Sequence, residues 1–362
     1  MSVFIPQMEP VITAEDADAV TAYMRSGAWL TEFEHTRRFE QMIAEYTGAR
    51  FCTIAPNGTL ALFLALVANG IGHGDEVIVP DLTMAASATA VVMAGATVVF
   101  GDIDPVTLCL DLTRVDERMT PRTRAVMFVS LNGRAPAALS DFARACRARG
   151  IAVIEDAAQS LGSFVGGKHL GTFGDCGCFS FSSQKIVTTG QGGAVVTDDE
   201  ALFQRMKRIR DFGRSAGGSD HYLSVGWNLK FTDLQAVIGV EQMRRLPRLV
   251  EGKRRMYALY QQHLDGVSGI ELPATDLTMV SPWFIDVLVK DRRRTALAEH
   301  LKSEGIGSRP FYPALHAEPA FGYDGSFPVA QLIAEQGLWL PSSLNLGEHE
   351  IERVCASIRR FF

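Results

Sequence analysis

The chain has 362 residues, 47% hydrophobic and 21% charged, close to the averages for soluble globular proteins, which excludes a disordered chain or a fibre. Its 35 Lys and Arg against 41 Asp and Glu leave a formal net charge of −6. That balance argues against nucleic acid as the main partner and leaves anionic small molecules open, because a few local donors hold those.

Short apolar runs bounded by turn residues predict strands at 51–55, 76–80, 97–102, 125–130, 151–156, 177–182 and 193–197. Several are rich in Val and Ile, as strands buried on both faces should be. Helix-like stretches at 58–69, 84–94 and 139–149 lie between them. This alternation predicts an α/β layer fold around a mainly parallel seven-stranded sheet. The pattern then changes. Residues 244–255 are rich in Arg and Lys and read as a long, solvated helix, followed by a strand at 284–290 and helices at 294–304 and 348–362. The division expected is a large domain with an N-terminal segment at 1–245 and a smaller α+β domain at 246–362, in line with the two domains that the length suggests.

The six cysteines, Cys52, Cys109, Cys146, Cys176, Cys178 and Cys355, mostly sit in apolar runs. Cys176 and Cys178 are the one close pair, with no second pair or His cluster, so a buried strand is expected there and no metal site. Residues 1–10 lack the charged and apolar segments of a signal peptide. No apolar run approaches the roughly 20 residues that span a bilayer. The expectation is a reduced, cytoplasmic protein without membrane contact.

Three segments carry candidate chemistry. The strand at 151–156 ends in Glu155 and Asp156. Ligands of open α/β sheets bind at such carboxyl ends, where an Asp could hold a metal, a ribose or a protonated ring nitrogen, or merely cap a turn. Lys185 lies between a buried strand (Phe179-Ser180-Phe181) and a Gly-rich loop (188–193, TTGQGG). A buried lysine there is fit to form a Schiff base with an aldehyde cofactor, although a strand-end lysine reaching solvent has the same pattern. Asn57-Gly58-Thr59, between a strand and a helix, has the parts of a phosphate site and also those of an ordinary turn.

Taken together, these segments resemble one family. The run Trp29-Leu30-Thr31-Glu32, Asn57-Gly58-Thr59, residues 70–80 (GIGHGDEVIVP), 102–105 (DIDP), 120–123 (TPRT), 154–159 (IEDAAQ), Phe179-Ser180-Phe181 with Lys185, 188–193 and Gly226-Trp227-Asn228 is similar, in order and spacing, to the DegT/DnrJ/EryC1/StrS family of sugar aminotransferases. Segments 182–190 (SSQKIVTTG) and 305–313 (GIGSRPFYP) look most like its perosamine-synthase branch. The resemblance runs from about residue 10 to the C-terminus. It implies an aspartate aminotransferase-like fold (fold type I), pyridoxal 5'-phosphate (PLP) as cofactor with the pyridoxamine form (PMP) as intermediate, and a homodimer with shared active sites.

By the same resemblance, Lys185 would hold the cofactor and move protons, and Asp156 would keep the pyridine nitrogen protonated. Gln159 would lie near the ring's phenolic oxygen, and Gly58, Thr59 and Ser180 would bind the phosphate. Asn228 would reach the phosphate of the neighbouring subunit. Trp29, Thr31, Lys230 and Arg309 fall at the implied substrate end.

The chain departs from the family pattern in four places. Met84 stands where an aromatic residue usually stacks on the ring, so Met84 is the expected ring contact. Phe33-Glu34 follows Glu32 in place of Gly-Pro, Ser130-Leu131-Asn132-Gly133 stands for His-Leu-Tyr-Gly, and Lys230 stands for Arg.

The implied reaction moves an amino group from an amino acid, glutamate above all, to a nucleotide-linked keto sugar, with a 4-keto-6-deoxyhexose first in line. The alternatives are a 3-keto sugar or keto-inositol acceptor, a sugar dehydration, and a non-catalytic PLP-binding regulator. Relatives that dehydrate replace the cofactor lysine with His, whereas Lys185 is present. A nicotinamide dehydrogenase is disfavoured because Gly190-Gln191-Gly192-Gly193 precedes a strand and does not open a helix.

Overall fold

The computed structural model describes residues 4–362. Helices α1 (Ala14–Ser26) and α2 (Glu34–Thr47) lead into β1 (Phe51–Ala55), α3 (Gly58–Ala68), β2 (Glu76–Pro80), α4 (Ala86–Met93), β3 (Thr97–Gly101), β4 (Thr123–Val129), α5 (Leu139–Ala148) and β5 (Ala152–Asp156). A small hairpin, β6 (Phe164–Val165) and β7 (Lys168–His169), precedes β8 (Cys176–Ser180), β9 (Gly193–Thr197) and α6 (Glu200–Arg210). The 32-residue α7 (Asp233–Leu264) leads to β10 (Ile270–Glu271), β11 (Ile285–Val289), α8 (Arg294–Ser303), β12 (Arg309–Pro310), α9 (Pro328–Gln336), β13 (Gly337–Leu340) and α10 (Glu348–Phe361).

The large sheet has the order β1-β9-β8-β5-β4-β2-β3. Only β9 runs antiparallel to its neighbours, so the carboxyl ends of the other six strands share one edge. These are the seven strands expected from the sequence, displaced at their ends by at most two residues. Except in the edge strand β3, their central residues are buried, as in β2, where every residue is sealed. Helix α3 is apolar on every side, which fits a helix packed between other layers. The Asn57 side chain starts it by accepting the Leu60 N–H at 2.9 Å. A four-stranded sheet, β10-β11-β13-β12, forms the centre of the smaller C-terminal unit. No helix among the described residues is long and apolar enough to cross a membrane.

Helix α7 differs from its sequence reading. Residues 244–255 are the middle of one continuous helix, and Leu246, Val250 and Lys253 are buried. The arginines mark one outward stripe of a helix whose other face is covered on both halves. Met243, Leu246 and Val250 pack in the large-domain core, whereas Met256, Tyr257, Tyr260 and Leu264 pack in the small one. The expected division at 245/246 therefore falls inside one continuous helix. The N-terminal segment also reaches the small unit: Ile5 N–H donates to Gly305 O at 2.9 Å, and Gly307 N–H donates to Ile5 O at 2.7 Å.

Two contacts lock the units together. Asn132, at the edge beyond β4, donates its amide to Phe284 O at 2.8 Å and accepts the Phe284 N–H at 2.7 Å. Beside it, the Arg134 guanidinium pairs with Asp286 on β11, both fully enclosed, and donates to Thr275 Oγ1 at 3.2 Å. Removing one member of a buried pair strands the other charge without water. Asp286→Ala is expected to cost about 3–5 kcal/mol in chemical denaturation. A loss below about 1 kcal/mol, the worth of an exposed pair, would show that the seam does not depend on it.

Candidate active site

The common strand edge gathers the candidate residues. β1 ends at Ala55 and turns through Asn57 into α3, whose first N–H groups have no partner within the helix and point to the edge. Gly58 lies there against Ser180, the last residue of β8. A Cβ on Gly58 would come 2.9 Å from Ser180 Cβ, so only glycine leaves this cradle open without a shift. A helix N-terminus, a hydroxyl and close backbone are the donor set of a phosphate site.

Strand alternation separates the two acids of β5. Glu155 is sealed and accepts the N–H groups of Gly171 (2.7 Å), Phe173 (2.5 Å) and Gly174 (2.7 Å), so it holds the loop before β8. Asp156 faces the site. Its Oδ2 accepts the Ser87 hydroxyl at 2.7 Å and its Oδ1 accepts the Ala158 N–H at 3.2 Å. Ser87 is in turn 3.0 Å from the Thr83 hydroxyl. Burial raises the Asp156 carboxyl above its ordinary range, opposed by Ser87, Ala158 and the charge of Lys185. A carboxyl so placed is ready for a cation, and a protonated ring nitrogen is one.

Lys185 lies opposite, in the turn after β8. Burial brings its amine down to about 8; Asp156 works against this and Arg309 with it. Its Nζ sits 4.0 Å from the centroid of the Trp283 ring. Gln159 accepts the Asn132 N–H at 2.7 Å and points its amide at the Tyr312 hydroxyl, 3.5 Å away.

One cavity of about 540 Å3 joins these groups. Of the residues expected from the sequence, Gly58, Thr59, Met84, Asp156, Gln159, Ser180, Lys185 and Arg309 line it. Trp29, Thr31, Asn228 and Lys230 do not. Trp29 and Asn228 are exposed, Thr31 bridges to Thr232, and Lys230 pairs with Asp211 at 2.7 Å. Gln184, Trp283 and Tyr312 line the cavity as well, and Ser87 supports it from behind. Gln184 and Tyr312 lie inside quoted motifs, whereas neither Trp283 nor Ser87 has a periodicity or spacing that would single it out.

These residues fit PLP: an open cradle for the phosphate, a buried carboxyl for the ring nitrogen and an activated lysine for the aldehyde.

Residues 10–359 match the DegT/DnrJ/EryC1/StrS aminotransferase family. The GDP-perosamine synthase of Escherichia coli O157:H7 is 31% identical over 361 residues, 99% of each chain. The UDP-N-acetyl-3-dehydro-alpha-D-glucosamine 3-aminotransferase of Acidithiobacillus ferrooxidans is 36% identical over 330 residues, 90% of this chain and 88% of that one. The crystal structure of the aminotransferase TlmJ from Streptoalloteichus hindustanus matches with a TM-score of 0.92 at 32% identity, covering 99% of this chain and 98% of that one. The α/β aminotransferase fold implied by the sequence resemblance is thus the one observed.

The lowered amine gives a pH prediction. A depressed lysine pKa favours the neutral, nucleophilic form, so that form should dominate above about pH 8 instead of above 10.5. At pH 7.5 about a quarter of Lys185 should be neutral, against about 0.1% of an ordinary lysine. Competitive acylation of the cofactor-free chain, mapped by peptide mass spectrometry, should titrate Lys185 with a midpoint near 8. A midpoint above 10 would show an amine that is effectively in water.

Proposed function

The chain belongs to the DegT/DnrJ/EryC1/StrS aminotransferase family, and on that premise we propose that it uses PLP to move an amino group from an amino acid, L-glutamate foremost, to the keto carbon of a nucleotide-linked sugar. The observation that carries this reading is the convergence of Lys185, Asp156 and the Gly58–Ser180 cradle, from separate chain segments, on one cavity. Its volume of about 540 Å3 is in the range of small-molecule sites.

When bound, the cofactor supplies an electron sink for the carbanion left at the amino acid's Cα. Lys185 would hold the cofactor at its aldehyde carbon, then accept the Cα proton at Nζ and pass it to that carbon, so that the nitrogen stays with the cofactor and the keto acid leaves. Asp156 keeps the proton on the ring nitrogen; its two protein donors fix the carboxylate for this. Gly58 and Thr59 N–H groups and the Ser180 hydroxyl take the phosphate. Gln159, held by Asn132, orients the ring edge. Met84 offers a thioether to the ring where relatives have an aromatic face, a contact of ~0.3–1.5 kcal/mol. Arg309 places a positive charge at the cavity for the anionic substrates.

For the acceptor we favour a 4-keto-6-deoxyhexose, on the strength of the perosamine synthase likeness. The 3-aminotransferase at 36% identity supports a second reading, a 3-keto sugar. We also propose a homodimer with shared sites. Asn228 and Lys230 do not line their own cavity, and the segments around them expose Trp29, Leu30, Tyr222, Leu223, Val225 and Trp227. A second copy covering those side chains would bring Asn228 to its partner's cofactor phosphate.

Mass spectrometry of products from a panel of keto-sugar nucleotides with glutamate tests the reaction. One amino sugar should form with the 4-keto substrate, and none with any substrate would overturn the reading. Lys185→Ala should abolish turnover and the borohydride-trapped cofactor. Mixed with Asn228→Ala under subunit exchange, it should regain part of the activity, since one site of each mixed dimer has both residues. Mixed dimers without recovery would show that each site is built within one chain.

A further inference from the structure

The lysine amine has a neighbour that the reaction described above does not use. Lys185 Nζ lies 4.0 Å from the centroid of the Trp283 ring, over its face. Asp156 on β5 and Arg309 on β12 act on the amine through space, with opposite signs. The third titratable group at the cavity wall, Tyr312 after β12, is kept as a neutral phenol by burial, which pushes it far up. The indole face is therefore the amine's direct contact.

That ring is fixed on every side. It is buried and stacks on Phe284 with centroids 3.7 Å apart. Trp339 packs edge-on at 5.7 Å. The indole N–H donates to Gln184 O at 2.8 Å, the peptide just before Lys185. Its own carbonyl accepts the buried Lys253 ammonium at 3.0 Å. One side chain from the small domain thus grips both the backbone at 184 and the amine at 185.

We propose that Trp283 is the positioning residue of Lys185: its indole face holds the amine at the cavity wall whenever the amine is not engaged with a ligand. This rests on the aminotransferase reading for its purpose, though not for its geometry. In amino transfer the lysine must let go of the cofactor, stay close and act as a base. As it does so, the substrate C–H bond breaks, an N–H bond forms on Nζ, and the electron pair stays with the carbon. A carboxylate partner would hold the amine too firmly as an ammonium ion. An aromatic face attracts the cation weakly and without a fixed direction. It keeps the protonated amine in place and lets the neutral one swing out.

Fluorinated tryptophans installed at position 283 alone test this without changing the packing, because fluorine drains the ring face while nearly preserving its shape. The readout is the pH midpoint of Lys185 acylation in the cofactor-free full chain. The midpoint should fall stepwise with each added fluorine, by about half a unit at tetrafluorotryptophan, a threefold change in protonation. A flat series would overturn the proposal. In turnover, Trp283→Leu should slow the half-reaction with glutamate about tenfold and expose a primary isotope effect with α-deuterated glutamate. Trp283→Phe should stay within about threefold, and trapped cofactor should be equal in both. Equal isotope effects in the two variants would also count against the role. If the unaltered enzyme transfers no amino group, the aminotransferase reading fails, while the fluorination series still decides whether the ring holds the amine.

Discussion

A carboxyl and an amine buried in one cavity set the terms for everything around them. Asp156 and Lys185 each pay desolvation that bulk water would otherwise relieve, and each is shifted toward its neutral form. Neither is closed off by a tight ion pair with the other. Asp156 is held by a hydroxyl and a backbone N–H, and Lys185 rests on a ring. Both therefore keep unspent capacity for a ligand that brings a cationic nitrogen and an electrophilic carbon. A surface acid and lysine at the same separation would be solvated, and the lysine would be almost wholly protonated at neutral pH.

Enclosing that pair takes both domains. The parallel strands deliver Asp156, Ser180 and the Asn57 turn to one edge, but that edge alone is an open shelf. Trp283, Arg309 and Tyr312 come from the small unit and complete the wall. Their placement follows from the seam, where Asn132 brackets the Phe284 peptide and Arg134 is buried against Asp286. Helix α7 runs through both cores and so ties one to the other, with Pro247 at its middle. The seam and the site are mechanically one object: a shift at Phe284 moves Trp283, and with it the contact to Lys185.

What was legible in the sequence follows from how local its cause is. The seven strands were readable because each is a short apolar run ended by turn residues, and their buried faces need no partner to be recognised. The places of Asp156 and Lys185 were readable because each lies at the end of such a run, whereas their roles came with the family resemblance. The seam was not readable: Arg134 and Asp286 are 152 residues apart, and neither neighbourhood hints at the other. Trp283 was missed for the same reason, as a single aromatic before a strand looks like any core residue. The 244–255 helix was misjudged from its abundance of Arg and Lys. Only the 3.6-residue spacing of Leu246, Val250 and Lys253 records its covered face, and a lysine is the last residue expected there. Lys253 tolerates it by donating to two backbone carbonyls, those of Trp283 and Ser342, with burial bringing its amine down to about 7.

The departures from the family pattern acquire a physical meaning from this arrangement. Along the sequence, Ser130-Leu131-Asn132-Gly133 is only a departure from His-Leu-Tyr-Gly. In the fold Asn132 has φ of 53°, in the left-handed region that Asn tolerates better than most side chains. That conformation turns its backbone N–H to Gln159 and its amide to both polar groups of Phe284. Ser130, two residues before, donates to Ser160 at 2.8 Å, beneath the same loop. The segment thus spends its polar groups on the domain seam and on Gln159 at the cavity. A tyrosine in this place would not enter the left-handed region as cheaply. The Trp283 wall hangs from this seam through the Phe284 peptide that Asn132 brackets.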